Sequence, residues 1–500
     1  MTNITLFVVL PLLAAFLMPV IARFSQVLAR TAGLSVLVLS ILIVLSQWGN
    51  VDTKAVAFTI GGYQPPMGIV FYVDQLSLLF ALLIPVMVLL FWPWNRVTHI
   101  REYSLMMLLT ASASGLVLSG DLFNIYVFYE LMAVASYGLV ASSNASTRLS
   151  SGATIAAAFR YLLLGSVGSV MFLLGIAIIY TQTGTLNLAH LALLAPEKLN
   201  NLIGLSAFAL ILVGVGVKAE LFPVNSWVPE VYGSISTRLA SLMAGLLSKL
   251  AVIVIVRLLI LIFPQPEALQ LMAILGILGV LTGELVAWRA KDLIRMLSFS
   301  SIGQLGLIFL AFSIPGEMGL MAGLALVFHH MLVKPALFML AESWSGPLDN
   351  LVGLAKRSPI SVALFVLLIL SMLGVPPLPG FWAKYLLMLG LSAQADSIYS
   401  FAMMVVPLAM VIEVSYLFRV VNILYKKPCA NTPTANERGL KVQRAMDFNI
   451  ALAVGFVLLL ITIQLPATSD KLSSLAKQTG DREHYIQTVF PGSALTGKIQ

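Results

Sequence analysis

Apolar runs of about 20 residues follow one another along most of this 500-residue chain. The sequence is 59% hydrophobic and 10% charged, whereas soluble domains carry about 25% charged residues. A run of this length can cross a bilayer as an α-helix, because a helix satisfies its backbone polar groups internally. The pattern predicts an all-α integral membrane protein and leaves no room for a separate soluble domain.

The apolar runs predict about fourteen transmembrane helices at 20 residues each. The stretch 50–73 contains Gly61-Gly62 and Pro65-Pro66 and predicts an extended or hairpin loop, and residues 466–500 form a polar tail. The approximate bounds of the predicted spans are 3–23, 29–47, 74–94, 104–120, 122–142, 158–181, 202–221, 235–262, 269–288, 293–314, 318–343, 360–390, 399–424 and 447–465.

The composition also excludes several classes of function. The net charge of +8 does not indicate nucleic-acid binding, because the basic residues fall in the loops between spans. The chain has one cysteine, Cys429, and no Cys-x-x-Cys or His/Cys cluster. We therefore expect no internal disulfide, no zinc or iron–sulfur site and no cofactor.

Lysine and arginine are concentrated in alternate loops, and the opposite loops hold little beyond Lys54 and Lys198. Cytoplasmic loops of membrane proteins carry an excess of basic residues, so the basic set predicts the cytoplasmic face. Both termini are then expected outside the cytoplasm of a prokaryotic cell membrane. The basic set comprises Arg23, Arg30, Arg96, Arg101, Arg148, Arg289, Lys291, Arg295, Lys356, Arg357, Lys426, Lys427, Arg438, Lys441 and Arg444.

Four charged residues interrupt the apolar runs near the predicted membrane centre: Glu130, Lys218, Lys249 and Lys384. Placing a charge there costs roughly 2.5–3.5 kcal/mol on translocon scales, so each is a functional candidate. Their repetition at similar depth predicts a proton or ion path through the membrane interior.

Prolines lie beside two of these lysines. Pro223 is expected to break the seventh span just after Lys218, and the sequence 373–384 places three prolines before Lys384. Broken spans are tolerated where neighbours or water satisfy the exposed backbone, which is where transporters bind their substrates. Lys218 is therefore expected beside a hydrated cavity, and Lys384 repeats the pattern of a lysine beside a proline-interrupted span.

Two further features add to the predicted path. Lys249 has no carboxylate within reach on its own helix, which makes its amine a candidate for reversible protonation. His330 and Lys334 are four residues apart and therefore share one helix face.

At these residues the chain resembles the antiporter-like subunits of respiratory complex I. The same family includes the D-type subunit of Mrp-type Na⁺/H⁺ antiporters and the matching subunits of membrane-bound hydrogenases. The resemblance runs from about residue 70 to 425, and so many ordered matches make chance similarity improbable. The matching segments are 121–137, 161–165, 181–187, 216–230, 242–257, 291–304, 330–338 and 373–384.

This resemblance implies a fourteen-helix fold with two inverted five-helix repeats and with broken spans seven and twelve. The chain would divide into 1–103 (spans one to three), 104–262 (first repeat), 263–424 (second repeat) and 425–500 (last span and tail).

The resemblance also implies roles for the charged residues. Glu130 and Lys218 would form an ion pair and Lys249 would be the central carrier. His330 with Lys334 would be the link, and Lys384 would lie near the exit.

The chain departs from the family pattern at three positions. Arg238 replaces a proline at the start of span eight, Glu220 is an extra acid beside Lys218, and Glu413 lies in the middle of span thirteen. We expect Glu413 to pair with Lys384. His329 is a further candidate beside His330.

Structural alternatives accompany these functional interpretations. A lysine near an interface can extend its amine to the headgroups, and a buried lysine or glutamate can serve packing through a polar partner. His329 and His330 can be core histidines bonded to a backbone carbonyl. We expect Glu284, at the cytoplasmic end of span nine, to pair with Arg289 or to belong to the loop.

Two function classes fit the sequence. The first is the D-type subunit of a Mrp-type Na⁺/H⁺ antiporter, and the second is a proton-pumping subunit of a redox complex such as complex I or a membrane-bound hydrogenase. Members of both classes transport H⁺ and have other membrane subunits as partners. Neither class decides whether Na⁺ passes through this chain. A self-sufficient permease fits less well, because the motifs resemble obligate members of complexes.

Overall fold

The computed structural model describes residues 3–51, 55–93, 100–143, 151–342, 344, 346–427 and 441–491. Nearly all of these residues are helical, so the prediction of an all-α fold is confirmed. Lys54, Arg96, Arg148, Cys429 and Arg438 were singled out above and lie outside the described residues.

The first part of the chain forms two long helices, a β-hairpin and a third helix. Their bounds are α1 Asn3–Phe24, α2 Gln26–Val51, β1 Val56–Thr59, β2 Val70–Val73 and α3 Gln75–Leu90.

Eight helices and one π-helical turn follow. They are α4 Ile100–Leu118, α5 Leu122–Ser142, α6 Ser151–Thr183, α7 Leu188–Lys198, α8 Leu202–Gly216, α9 Val228–Ser234, α10 Thr237–Leu242, the π-turn Met243–Leu247 and α11 Ser248–Leu261.

The remaining helices include one 3₁₀ turn, at Leu348–Leu351. They are α12 Pro266–Arg289, α13 Leu293–Ser313, α14 Glu317–Glu342, α15 Leu354–Arg357, α16 Pro359–Leu373, α17 Pro379–Ser392, α18 Ser397–Tyr425, α19 Lys441–Ile463, α20 Leu465–Gly480 and α21 Arg482–Val489.

The length and hydropathy of the helices agree with a multi-pass membrane protein. Within the described residues, nine helices are long and apolar enough to cross a membrane, or up to eleven if each of two bent pairs is one span. The apolar helices α3 and α8 are shorter than these. Each predicted span overlaps a helix or an interrupted helix, but the count of fourteen stays a prediction.

Three spans form the centre of the bundle. The apolar window is 89% buried in the span Thr237–Leu261, 89% buried in α13 and 83% buried in α14, whereas it is 28% buried in α2. Lys249 lies on the first of these spans and His330 and Lys334 lie on α14. The bundle therefore places these side chains among other helices and away from lipid.

The loop 50–73 contains the predicted hairpin. Strands β1 and β2 pair antiparallel, with Val56 opposite Val73 and Thr59 opposite Val70. The C-terminal tail packs beside it, because the rings of Tyr72 and Tyr485 lie 3.9 Å apart between centroids. Burial raises the pKa of both phenols, so both rings stay neutral.

A buried ion pair lies next to this hairpin. Nη2 of Arg257, at the end of α11, is 3.1 Å from Oδ2 of Asp74, and Nη1 donates to the Val117 carbonyl at 3.2 Å. The two side chains are only 10% and 13% exposed. The pair joins the end of the central span to the N-terminus of α3, where Asp74 also caps the helix.

Both predicted interruptions are present. The break in the seventh span begins before Lys218 rather than after it, because α8 ends at Gly216 and residues 217–227 form successive turns. The Leu221 amide donates to the Gly216 carbonyl at 2.9 Å, which closes the chain back on the helix end. In the twelfth span, α16 ends at Gly374 in the left-handed conformation (φ +81°) and α17 begins at Pro379.

Helices α12 and α13 approach each other along a seam of glycines. An added Cβ would lie 2.5 Å from the Val280 amide nitrogen at Gly306 and 2.4 Å from the Gly303 nitrogen at Gly283. Contacts this short involve backbone atoms, which side-chain rotation cannot relieve. The seam therefore requires glycine for the two helices to stay this close.

We predict that Gly306→Ala destabilises the protein by about 1–3 kcal/mol, because the new methyl group overpacks a backbone contact. The measurement is the thermal unfolding midpoint of the detergent-purified protein. Gly49→Ala is the matched control, because an added Cβ there meets nothing within 4 Å. Equal midpoints for the two variants would contradict the close packing of α12 on α13.

Candidate functional site

The interior of the bundle holds charges of both signs. Within the described part of the chain the buried lysines are Lys218, Lys249, Lys334 and Lys384, each at most 3% exposed. The buried acids are Glu220, Glu284 and Glu413, each at most 2% exposed, and Glu130 is half-buried. Removing each of these charges from water is costly, so each needs a polar or charged partner inside the bundle.

Lys218 lies in a pocket of three tyrosines at the break after α8. Its Nζ is 3.3 Å from the Tyr161 hydroxyl and 3.5 Å from the Tyr137 hydroxyl. The same amine lies 4.5 Å from the Tyr137 ring centroid and 5.5 Å from that of Tyr129. Aromatic faces attract a desolvated cation by about 2 kcal/mol, so the pocket can hold the charged amine.

Glu130 does not contact Lys218 directly in this structure. Glu130 does interact electrostatically with this lysine, but among the described residues its Oε1 has no hydrogen-bond partner. The contact ion pair implied by the resemblance is therefore not formed between these two described side chains, and the tyrosine hydroxyls occupy the positions around the amine. The role of the two residues stays a prediction.

Lys249 is completely buried where the π-turn meets α11. Its Nζ donates to the Ala244 carbonyl at 2.5 Å and to Ser248 Oγ at 3.1 Å. A π-turn displaces one carbonyl from the regular helical ladder, and such turns are frequent at functional sites. No carboxylate among the described residues contacts this amine, so neutral oxygens hold it.

Glu220 lies inside the break, in an unusual backbone conformation. Its φ is +56°, and it is the only non-glycine with positive φ among the described residues. Its Oε1 accepts a hydrogen bond of 2.7 Å from the Tyr232 hydroxyl, and its carbonyl accepts one of 3.4 Å from Asn225. This extra acid therefore points into the protein beside Lys249 and is not exposed to lipid.

His330 and Lys334 share one face of α14, as predicted, and both contact α13. His330 Nε2 lies 3.4 Å from Ser301 Oγ, and Lys334 Nζ donates to Ser300 Oγ at 2.7 Å and to the Leu297 carbonyl at 3.1 Å. His329 points elsewhere, with Nε2 3.0 Å from Ser371 Oγ on α16. His329 is therefore a buried histidine whose partner is a serine hydroxyl rather than the backbone carbonyl of the structural alternative, and its role stays a prediction.

The predicted contact between Lys384 and Glu413 is present. Lys384 Nζ lies 2.6 Å from Glu413 Oε2, and the two side chains are 4% and 2% exposed. Gln304 Nε2 donates to the other oxygen of Glu413 at 2.8 Å. The carboxylate thus joins α13, α17 and α18 at one point.

The prediction for Glu284 was wrong. Its side chain is not paired with Arg289 but is buried inside the bundle, where Oε2 accepts a hydrogen bond of 2.8 Å from the Tyr416 hydroxyl. It interacts electrostatically with Glu413, Lys384 and Lys334. Gly283 was the sequence signal that could have predicted the buried position of Glu284. It belongs to the glycine seam, which turns this face of α12 toward α13 and the interior.

Arg238 is buried near the start of the central span, and its Nη1 donates to the Trp92 carbonyl at 3.4 Å. Eleven residues separate it from Lys249, which is roughly 16 Å along a helix. Its charge is therefore distant from the Lys249 amine. Although the proline is absent, the span still departs from regular α-helix at the π-turn Met243–Leu247.

No group of three or more His, Cys, Asp or Glu side chains in the described residues could hold a metal ion. The titratable side chains of the interior are proton-binding groups that come from both halves of the chain. Glu130, Lys218, Glu220 and Lys249 belong to the first half of the chain. His330, Lys334, Lys384, Glu413 and Glu284 belong to the second half.

Comparison with known proteins matches the family described as NADH:quinone oxidoreductase/Mrp antiporter, TM, over residues 119–411. The N-type subunit of the NADH-quinone oxidoreductase of Desulforudis audaxviator is 32% identical over 387 residues, which are 74% of this chain and 75% of that protein. The D-type subunit of the Na⁺/H⁺ antiporter of Alkalihalophilus pseudofirmus is 31% identical over 379 residues, covering 73% and 75%.

Among solved structures, one similar chain belongs to the membrane-bound sulfane sulfur reductase, an archaeal respiratory membrane complex. The TM-score is 0.86 at 29% sequence identity, and the superposition covers 97% of this chain and 99% of that one. The similarity thus extends beyond the matched family segment to nearly the whole fold.

We predict that Glu413→Gln or Lys384→Met alone destabilises the protein by about 3–5 kcal/mol, because each leaves one buried charge without its partner. The double variant should recover part of that loss, since neither charge then remains. The measurement is a double-mutant cycle of thermal unfolding in detergent.

The exposed pair Arg160–Glu230 is the matched control, because its atoms are 2.7 Å apart while its side chains are 63% and 40% exposed. Breaking this exposed ion pair with Glu230→Gln should lower the free energy of unfolding by less than about 1 kcal/mol. Additive effects of the two buried substitutions would show that the pair contributes no coupling.

Proposed function

Because the chain belongs to the NADH:quinone oxidoreductase/Mrp antiporter transmembrane family, we propose that it is the ion-translocating membrane subunit of a multisubunit complex. One observation carries the proposal. Lys249 is fully buried in the central span, and its amine is held by neutral oxygens at a π-turn. A buried amine without a contacting counter-charge is suited to binding and releasing a proton.

Translocation would use protonation changes along Glu130, Lys218, Lys249, the His330–Lys334 pair and Lys384. Unit charges about 4 Å apart interact by about 4 kcal/mol at an effective dielectric of 20, and the interaction falls with distance. A proton leaving Lys249 therefore changes the balance of its charged neighbours Glu220 and Lys334. Electrostatic coupling of this kind passes a change in charge from one half of the chain to the other.

The D-type subunit of a Mrp-type Na⁺/H⁺ antiporter is the assignment that we favour. The similarity to the matching subunit of the Alkalihalophilus antiporter supports it, as does a lysine at position 384. Exchange of Na⁺ for H⁺ would then be driven by an ion gradient, with the other membrane subunits as partners.

A proton-pumping subunit of a redox complex is the second candidate. The 32% identity to an N-type subunit of a quinone oxidoreductase and the TM-score of 0.86 to a chain of a respiratory complex favour this alternative. In that case a redox partner would supply the driving energy, and this chain would remain a translocating subunit without catalysis of its own.

The proposed division into repeats at 104–262 and 263–424 is supported by matched features. Asp121 caps α5 and pairs with Asn187, and Asp292 caps α13 and pairs with Pro347. Each aspartate begins the second span of its proposed repeat. The fifth spans carry Lys249 and Glu413 at their buried faces.

The proposed orientation places the basic loops in the cytoplasm and both termini outside it, in a prokaryotic cell membrane. Two of the basic loops lie together, because the Leu348 amide donates to the Lys291 carbonyl at 2.9 Å. The hairpin, α7 and α21 lie together at another place, where Arg482 donates to the Ala192 carbonyl. Two separate groups of loops, one of them basic and the other beside α21, are what the proposed orientation requires.

We predict that Lys249→Ala abolishes coupled transport while the complex still assembles, because the central proton-binding group is lost. Lys249→Met should give the same result with less loss of packing volume. Proton-coupled flux is measured with a pH-sensitive dye in liposomes containing the complex purified through a tag on this chain. Lys198→Ala, at an exposed position on α7, is the control. Normal flux in an assembled Lys249 variant would falsify the proposed function.

We predict that Glu413→Gln slows transport and changes its pH dependence, because Lys384 loses the carboxylate that balances its charge. Transport rates are compared across a range of pH in the same liposomes. Glu267→Gln, an exposed acid on α12, should behave as the wild type. A wild-type rate and pH profile in Glu413→Gln would remove this pair from the translocation path.

A further inference from the structure

A cleft of about 680 Å³ with several charged side chains in its lining lies between α6, α9 and α13. Its lining includes Arg160, Glu230, Ser234, Asp292 and Arg295. Arg160 and Glu230 are well exposed. Because charged side chains are costly to place against lipid, this side of the cleft is expected to face water. About 10–15 Å³ of such volume is enough to hold one water molecule, so the cleft has room for a group of them.

The short helix α9 separates this cleft from the buried charges. Glu230 and Gly233 of α9 line the cleft, while Tyr232 of the same helix is buried at 1% exposure. The Tyr232 hydroxyl donates to Glu220 Oε1 at 2.7 Å. One turn of helix thus has its polar side toward solvent and its tyrosine toward the extra acid.

The backbone at Glu220 is strained. A left-handed conformation is unfavourable for a non-glycine residue and persists only where the surroundings impose it. Trp227 Nε1 donates to the Val217 carbonyl at 2.8 Å, and Asn225 donates to the Glu220 carbonyl, so the break is fixed on both sides. Strain of this kind concentrates at functional sites.

Glu220 and Lys249 are each other's strongest electrostatic partner. In the described structure they make no direct ion pair, because Glu220 is held by Tyr232 and Lys249 by Ala244 and Ser248. The other groups around Glu220 are Ser301 and Lys334 on the second half, and Tyr161 beside Lys218. The acid is therefore hydrogen-bonded to the helix that lines the cleft and coupled through space to the central lysine.

We propose that Glu220 is a proton carrier that takes protons arriving from the α9 cleft and delivers them to Lys249. A proton from cleft water converts the Glu220 carboxylate to a carboxyl group. The carboxyl then passes that proton to the neutral Lys249 amine, giving an ammonium and restoring the carboxylate. Tyr232 is a positioning residue that fixes one carboxyl oxygen. The inference rests on the proposed function, since it requires Lys249 to exchange protons.

The primary test replaces Glu220 in the complete complex and compares proton flux in liposomes at varied pH on each side. General acid–base groups contribute factors of 10²–10⁴, so Glu220→Gln should lower the rate by about 10²-fold. Its rate should also lose its dependence on pH at the cleft side. Glu220→Asn is the second variant, because asparagine tolerates the left-handed conformation and so tests the carboxylate without added strain.

Tyr232→Phe tests the positioning role. We expect a smaller loss of rate together with a shifted cleft-side pH profile, because the carboxylate remains but loses its hydrogen bond. Tyr180→Phe is the matched control, since Tyr180 is 53% exposed on α6 and should leave both readouts unchanged. A protonation-dependent carboxyl band in infrared difference spectra should disappear in Glu220→Gln and shift in Tyr232→Phe.

Blocking the cleft gives an independent test. Gly233→Cys in a Cys429→Ser background places a thiol in the cleft, where an added Cβ lies 4.0 Å from the nearest atom, Arg295 Cγ. Labelling with a bulky, membrane-impermeant thiol reagent should stop flux only when the reagent is on the cleft side.

The outcomes separate this inference from the proposed function. Loss of flux in Lys249→Ala together with wild-type rates and pH profiles in both Glu220 variants would overturn the role of Glu220 alone. Retained flux after labelling of Gly233→Cys would overturn the cleft as the entry. Normal flux in Lys249→Ala would instead remove the proposed function and this inference together.

Discussion

The structure depends on accommodating lysine side chains inside the helical bundle. Four buried lysines and three buried acids, with the half-buried Glu130, occupy the interior of an otherwise apolar bundle in the described part of the chain. The bundle compensates each charge in a different way: tyrosine rings and hydroxyls surround Lys218, carbonyl and hydroxyl oxygens hold Lys249, and a carboxylate contacts Lys384. Because only Lys384 has a carboxylate in direct contact among these described lysines, the remaining charges stay free to respond to one another through space.

Irregular helices provide the polar atoms that this compensation requires. A regular helix uses its carbonyls internally, so it has few to offer a buried amine. The π-turn at Met243–Leu247 makes the Ala244 carbonyl available to Lys249, and the break after α8 brings Lys218 and Glu220 inward. The glycine seam between α12 and α13 acts differently. It lets two backbones approach so closely that Glu284 is pressed into the interior beside Gly303.

Much of the site was predictable from local sequence because a charge inside an apolar run is rare and costly. Glu130, Lys218, Lys249 and Lys384 were found in that way, and the four-residue spacing of His330 and Lys334 placed them on one face. The prediction for Glu284 was wrong, because its position in the sequence is close to a loop and does not reveal which face of α12 is turned toward the interior. The sequence likewise could not place Glu220 against Tyr232, twelve residues away across a break, because the path of the chain through that break is not a regular helix.

The sequence by itself determined that the chain is a helical membrane protein, that two of its spans are interrupted, and that Lys218, Lys249 and Lys384 would be buried. Those features follow from hydropathy and proline placement, which act over one or two helical turns. Only the tertiary structure decided which charges meet: tyrosines rather than Glu130 contact Lys218, Glu413 contacts Lys384, and a solvent cleft lies one helix away from Glu220. The physical reason is that a pairing depends on distances between helices, and helix packing sets those distances through small-residue contacts spread along the whole chain.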